Sequence, residues 1–133
     1  MDYSKLSDFE INTAVFEAIH GGAPDYKEGD GGAMVLISYE GDVVGGDAVE
    51  VEVERGVFNP CNNPTDAWPI IEANNIAVIP YRHTLPQAWP TAFGVISRFT
   101  TEDEKPLRAA MIVILKLQET ANVPANSTGS DIR

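Results

Sequence analysis

Ala48-Val49-Glu50-Val51-Glu52-Val53-Glu54 alternates strictly between apolar and acidic side chains. That is the period of a β-strand with one face toward a core and the other toward water, so Val49, Val51 and Val53 are expected inward and the glutamates outward. Upstream, Met34-Val35-Leu36-Ile37 is a continuous apolar run that predicts a central strand over 34–39. The glycine-rich Gly41–Gly46 stretch between the two predicts a turn, and hence an antiparallel hairpin.

Working outward, Ser7-Asp8-Phe9-Glu10 is a capping box, in which serine and glutamate each satisfy an orphan backbone N–H. Ile11, Ala14, Val15, Ala18 and Ile19 follow at helical spacing, widened by Phe9 and Phe16, with Glu10, Thr13, Glu17 and His20 opposite. Gly21-Gly22 stops this helix. Downstream, Asn59-Pro60-Cys61-Asn62-Asn63-Pro64 is a dense turn. A short helix is expected over 66–74 with Asp66 as N-cap, which keeps Pro69 in the first turn where its missing N–H costs nothing. Strands are expected over 76–81 and 93–99, the second following a Trp89-Pro90 turn. A last helix is expected over 107–118, with Pro106 in its first turn and acids at 102 to 104 favouring its positive end. The near-fully apolar stretch Ala109 to Leu115 belongs at the centre of the packing.

These elements predict an α+β fold: a small antiparallel sheet of about four strands packed by two longer helices and one short helix. A chain of 133 residues fits one domain, expected over 1–119, with the polar, aperiodic 120–133 expected to be a disordered tail. No apolar stretch is long enough to cross a bilayer, and Met1-Asp2-Tyr3-Ser4-Lys5 is no basic region with an apolar segment behind it, so neither a membrane span nor a secretory signal is expected. Cys61 is the only cysteine, which excludes an internal disulfide and fits a reducing compartment.

Charge is the strongest compositional feature. Twenty acids against nine bases give a formal net charge of −11. Direct nucleic-acid binding needs clustered Lys and Arg, which the chain lacks. Residues 25 to 54 hold nine acids and one base, Lys27. The glycine clusters here precede strands rather than helices and lack Lys and Ser/Thr partners, so they are turns and not phosphate loops.

Three segments together resemble the NinX-type accessory proteins of tailed bacteriophages. They are Tyr3-Ser4-Lys5-Leu6-Ser7-Asp8-Phe9-Glu10-Ile11-Asn12, Cys61-Asn62-Asn63-Pro64-Thr65-Asp66-Ala67-Trp68-Pro69-Ile70-Ile71-Glu72, and Pro106-Leu107-Arg108-Ala109-Ala110-Met111. Their order and spacing match over roughly residues 3 to 119, and the Asn-Pro-x-Asp-Ala-Trp-Pro-Ile-Ile core of the middle segment is not a run that helix or turn chemistry demands. The chain departs from the family pattern at Trp89-Pro90-Thr91-Ala92, where the family has Trp-x-Ala. The resemblance implies a phage-encoded, non-virion protein acting in the host cell cytoplasm, and it implies no reaction.

Catalytic constellations are not evident. Cys61 lacks a protease-like context, and Cys61, His20 and His83 have no close pair to seed a metal site, so no catalytic residue, metal or cofactor is assigned. Enzymatic activity is the less favoured reading. Two binding readings stand. Asn62, Asn63, Asp66, Trp68, Trp89 and Arg108 offer planar donors, acceptors and aromatic faces for a pocket sequestering a host small molecule such as a nucleotide-derived immune signal, serving counter-defence. Against this, Trp68 and Ile71 are equally suited to the core, the Asn-Pro turns to setting the chain's path, and Arg108 to bridging Asp66. In the alternative, Asp42, Asp47, Glu50, Glu52 and Glu54, with the strand carboxylates about 6.6 Å apart, mimic nucleic acid toward a basic host enzyme. The bland counterpart is a charged edge that discourages strand pairing. An exposed valine strand also suits a homo-oligomer.

Overall fold

The computed structural model describes residues 1–121. Three helices, α1 (Asp8–His20), α2 (Pro64–Ala73) and α3 (Pro106–Ala121), accompany two antiparallel sheets. The first sheet orders β1 (Tyr26–Glu28), β2 (Met34–Val44) and β3 (Asp47–Phe58); the second orders β4 (Ile76–Ile79), β5 (Gln87–Pro90) and β6 (Thr101–Glu102). The class is α+β, but the strands form two three-stranded sheets rather than one sheet of about four.

Helix α1 opens on the expected capping box: Ser7 Oγ accepts from the Glu10 N–H at 3.1 Å, and Glu10 accepts from the Ser7 N–H at 2.9 Å. Gly21, at φ +75°, closes it. Its buried face is rotated from the expected one. Asn12 and Thr13 are buried beside Ile11 and Val15, while Ile19 is exposed. Helix α3 carries the core: every residue from Ala109 to Leu115 is buried, and the helix packs on α1, on α2 and on all three strands of the second sheet. It continues through Thr120 and Ala121, which the sequence assigned to a tail; the remainder of that tail lies outside the described residues.

Four further expectations are corrected. Asn63, not Asp66, caps α2, so Pro64 takes the first helical position and Pro69 lies inside the helix. The carbonyl that Pro69 leaves without a donor is that of Thr65; both residues are exposed, so water can satisfy it. Residues 93–99 form a loop rather than a strand. The Phe93 and Gly94 N–H groups both turn back to the Pro90 carbonyl, and Gly94 sits at φ +75°. Trp89-Pro90, expected as a turn, instead ends β5. Finally, the valines of β3 are not inward. Val49 and Val51 are exposed and Val53 is half-buried, because β2 and β3 extend together as a long arm and β3 packs principally on β2. The arm turns at Gly45-Gly46, where both φ angles are positive, as a two-residue hairpin turn requires.

Candidate functional site

The Asn-Pro segment is a polar junction between α1, α2 and the glycine-rich loop. Asn12, fully buried, donates through Nδ2 to the Gly32 carbonyl at 3.0 Å and to Asn59 Oδ1 at 2.8 Å, and its Oδ1 accepts from the Cys61 N–H at 3.1 Å. Asp66 reaches back from the first turn of α2 to accept the Asn59 N–H at 2.9 Å. Asn63 accepts the Thr65 N–H at 2.9 Å as the helix cap. Asn62 donates to Asp8 at 3.0 Å and accepts from Lys105 Nζ at 2.7 Å. Three of the residues expected to bind a ligand therefore hold the turn together.

Arg108 belongs to the same junction and uses four of its five N–H donors there. Its Nε donates to Asp103 at 2.9 Å, Nη1 to Asp8 at 2.7 Å, and Nη2 to the Leu6 and Ser4 carbonyls at 2.6 and 3.2 Å. The expected partner, Asp66, is not among them. Asp8 also receives Lys105 Nζ at 2.6 Å. Burial alone would raise the Asp8 pKa, but hydrogen bonds from Lys105, Asn62 and Arg108 together outweigh it and hold the carboxyl below its ordinary range. Burial likewise opposes the charge on Arg108, and the hydrogen bonds to Asp103 and Asp8 more than offset it. The sequence reading used Asp8 in a capping box and Asp103 as a charge at a helix start, and gave Asp8, Asn12, Asp103 and Lys105 no part in this junction.

Trp68 is different. It stands 58 % exposed on the outer face of α2, so the indole is not core. Trp89 is half-buried in β5, paired with Ala77. A cleft of about 390 Å³ is lined by Arg108 and Lys105, already paired with Asp8 and Asp103, and by Glu102 and Glu104, so its lining is net acidic. A second, of about 530 Å³, opens on Lys116, whose ammonium donates to Thr101 Oγ1 at 2.7 Å and, at 3.4 Å, to the Thr100 carbonyl. Burial lowers the pKa of that amine. Asn62, Asn63, Asp66, Trp68 and Trp89 line neither cleft, so the six ligand candidates do not converge on one of them.

Cys61 is buried against α1, and burial pushes its thiol up to about 12. A thiol kept protonated at neutral pH is a poor nucleophile. Among the described residues, no three His, Cys, Asp or Glu side chains are grouped to hold a metal ion, and no helix is long and apolar enough to cross a membrane.

The β2–β3 arm gathers the remaining candidates. From Ser38 to Glu54 it holds six acids and no base. Lys27 reaches across from β1 to bond Glu52 and lies 3.6 Å from Glu54, while Arg55 bonds Glu40 and Ser38. Asp42, Asp47 and Glu50 have no basic partner among the described residues. Cross-strand register places Ser38, Glu40 and Asp42 beside Val53, Val51 and Val49 on one face, and Tyr39, Gly41 and Val43 beside Glu52, Glu50 and Ala48 on the other.

Residues 2–118 match the family model described as Bacteriophage P22, NinX, and the chain belongs to that family. No curated protein and no solved structure matches it. The family is a bacteriophage one and sets the chain among phage accessory proteins.

Proposed function

We propose that this phage accessory protein acts in the host cytoplasm by binding rather than by catalysis, and that the β2–β3 arm is the element that docks, on a basic host protein. The arm itself carries the reading: a projecting hairpin whose 38–54 stretch holds six acids and no base, with Val43, Val49 and Val51 exposed. Charge steers a basic partner and disfavours others, and the valines supply apolar area that the body of the protein leaves uncovered. A photo-cross-linking residue placed at Val43 or Val51 during infection is expected to yield a discrete adduct whose yield falls steeply with salt and after Asp42→Asn, Asp47→Asn and Glu50→Gln together. The same probe at Glu72, on exposed α2 surface, is the control. Equal adducts from Glu72, or arm adducts indifferent to salt and charge, would refute the docking role.

Sequestration of a host small molecule, such as a nucleotide-derived immune signal, is the second reading, and the exposure of Trp68 favours it. An indole 58 % exposed on α2 is free to stack a planar ligand. Native mass spectrometry of the protein from infected cells should then show a nucleotide-sized mass that Trp68→Ala loses. An unliganded mass, or a ligand retained by that variant, counts against it.

A further inference from the structure

We propose that the partner adds to β3 as a further strand, through an extended segment that alternates apolar with Lys or Arg side chains. This rests on the docking role of the arm. β3 is an outer strand of its sheet. Val44 and Asp47 bracket the two-residue turn, and hydrogen-bonded pairs alternate from there, Asp42 with Val49 and Glu40 with Val51. The N–H and C=O groups of Ala48, Glu50 and Glu52 accordingly point away from β2, and no turn or loop backbone among the described residues reaches them. The opposite edge is less open. There β1 covers β2 as far as Leu36, and Asp42 takes the Val43 N–H at 2.8 Å.

A strand laid along β3 continues both faces of the arm at once. Beside Val49 and Val51 it places apolar side chains; beside Glu50, which has no basic partner among the described residues, and Glu52, which Lys27 already bonds, it places its cations, within cross-strand reach. One occupant thus accounts for the valines and the glutamates together. A contact that imitated nucleic acid would use the carboxylates and leave the valines wet. A second copy of β3 would set Glu50 and Glu52 against their own counterparts, which repel.

The test titrates the full chain with a capped peptide of about eight residues alternating Lys and Val. Its controls are the same composition arranged in two blocks and an alternating peptide N-methylated along one edge. The alternating peptide is expected to bind on the order of tenfold tighter than either control. Amide exchange should slow at Ala48, Glu50 and Glu52 rather than at Val49 and Val51. Ala48→Pro, which removes an edge donor without touching charge, should weaken binding while the unmodified chain still discriminates between the peptides. Equal binding of the block or N-methylated peptide, absent edge protection, or no binding of any peptide would overturn strand addition. Adducts from Val43 and Val51 in infected cells would still uphold docking by another geometry, whereas their absence removes the docking role itself.

Discussion

Replacing Arg108 by Met should destabilise the fold by about 3 kcal/mol. The guanidinium is 9 % exposed and joins Asp8 and Asp103, themselves 18 % and 13 % exposed, to the carbonyls of Ser4 and Leu6. Breaking a buried ion pair costs roughly 3–5 kcal/mol, chiefly because the surviving charge is left in a poor medium. Here Asp8 keeps Lys105 and Asn62, and Asp103 keeps the Lys105 N–H, so the lower end applies. Urea unfolding followed by circular dichroism measures the loss directly. Its pH dependence carries the sharper signature. Asp8 has a folded pKa below its unfolded value, so its contribution is fully present above the unfolded carboxylate value of about 4 and is lost as pH falls through the folded value. Removing one of its donors shrinks that contribution, so wild type and variant should converge on acidification. Arg108→Lys, keeping the charge without the fork, should fall between them. A loss below about 1 kcal/mol at neutral pH, or a difference that does not shrink on acidification, would refute the assignment of Arg108 as the tie between α3 and the start of α1.

Trp68→Ala should cost less than about 1 kcal/mol in the same assay, because the side chain is mostly exposed. A larger loss would return Trp68 to the core. Asn12→Ala should cost about 2 kcal/mol and speed amide exchange at Cys61, whose buried N–H loses its acceptor; unchanged exchange there would deny the junction its role. Cys61, buried and with its thiol pushed up to about 12, should resist thiol reagents until the protein unfolds. Rapid labelling of the native chain would contradict that burial.

Local grammar was legible and tertiary covering was not. The Ser7–Glu10 box and the Gly21 stop rest on interactions within one turn, and both are present. The start of α2 was misplaced because the cost of Pro69 depends on whether the Thr65 carbonyl meets water, which only the packed helix decides. In 93–99 the apolar composition read as a strand, while Gly94 at positive φ and two N–H groups sharing the Pro90 carbonyl turned it into a loop. Arg108 read as a ligand contact or as a bridge to Asp66, because its partner Asp8 lies 100 positions away in sequence and Asp103 read only as a charge at the helix start.

The alternation of Ala48 to Glu54 shows the same division most clearly. A period of two specifies a strand with unlike faces, and β3 is that strand. It cannot say what covers the apolar face. In most sheets the domain's own core does, and the valines were expected inward for that reason. Here the arm runs past the body, leaving Val49 and Val51 exposed along an open edge. A two-stranded ribbon alone is marginally stable in water, because each wet valine forfeits the burial that would offset the ordering of its backbone. A further strand would supply that burial and pair the edge in the same event. The exposure of the valines and the docking of a partner strand therefore have one physical source: a row of β3 valines without an intramolecular cover.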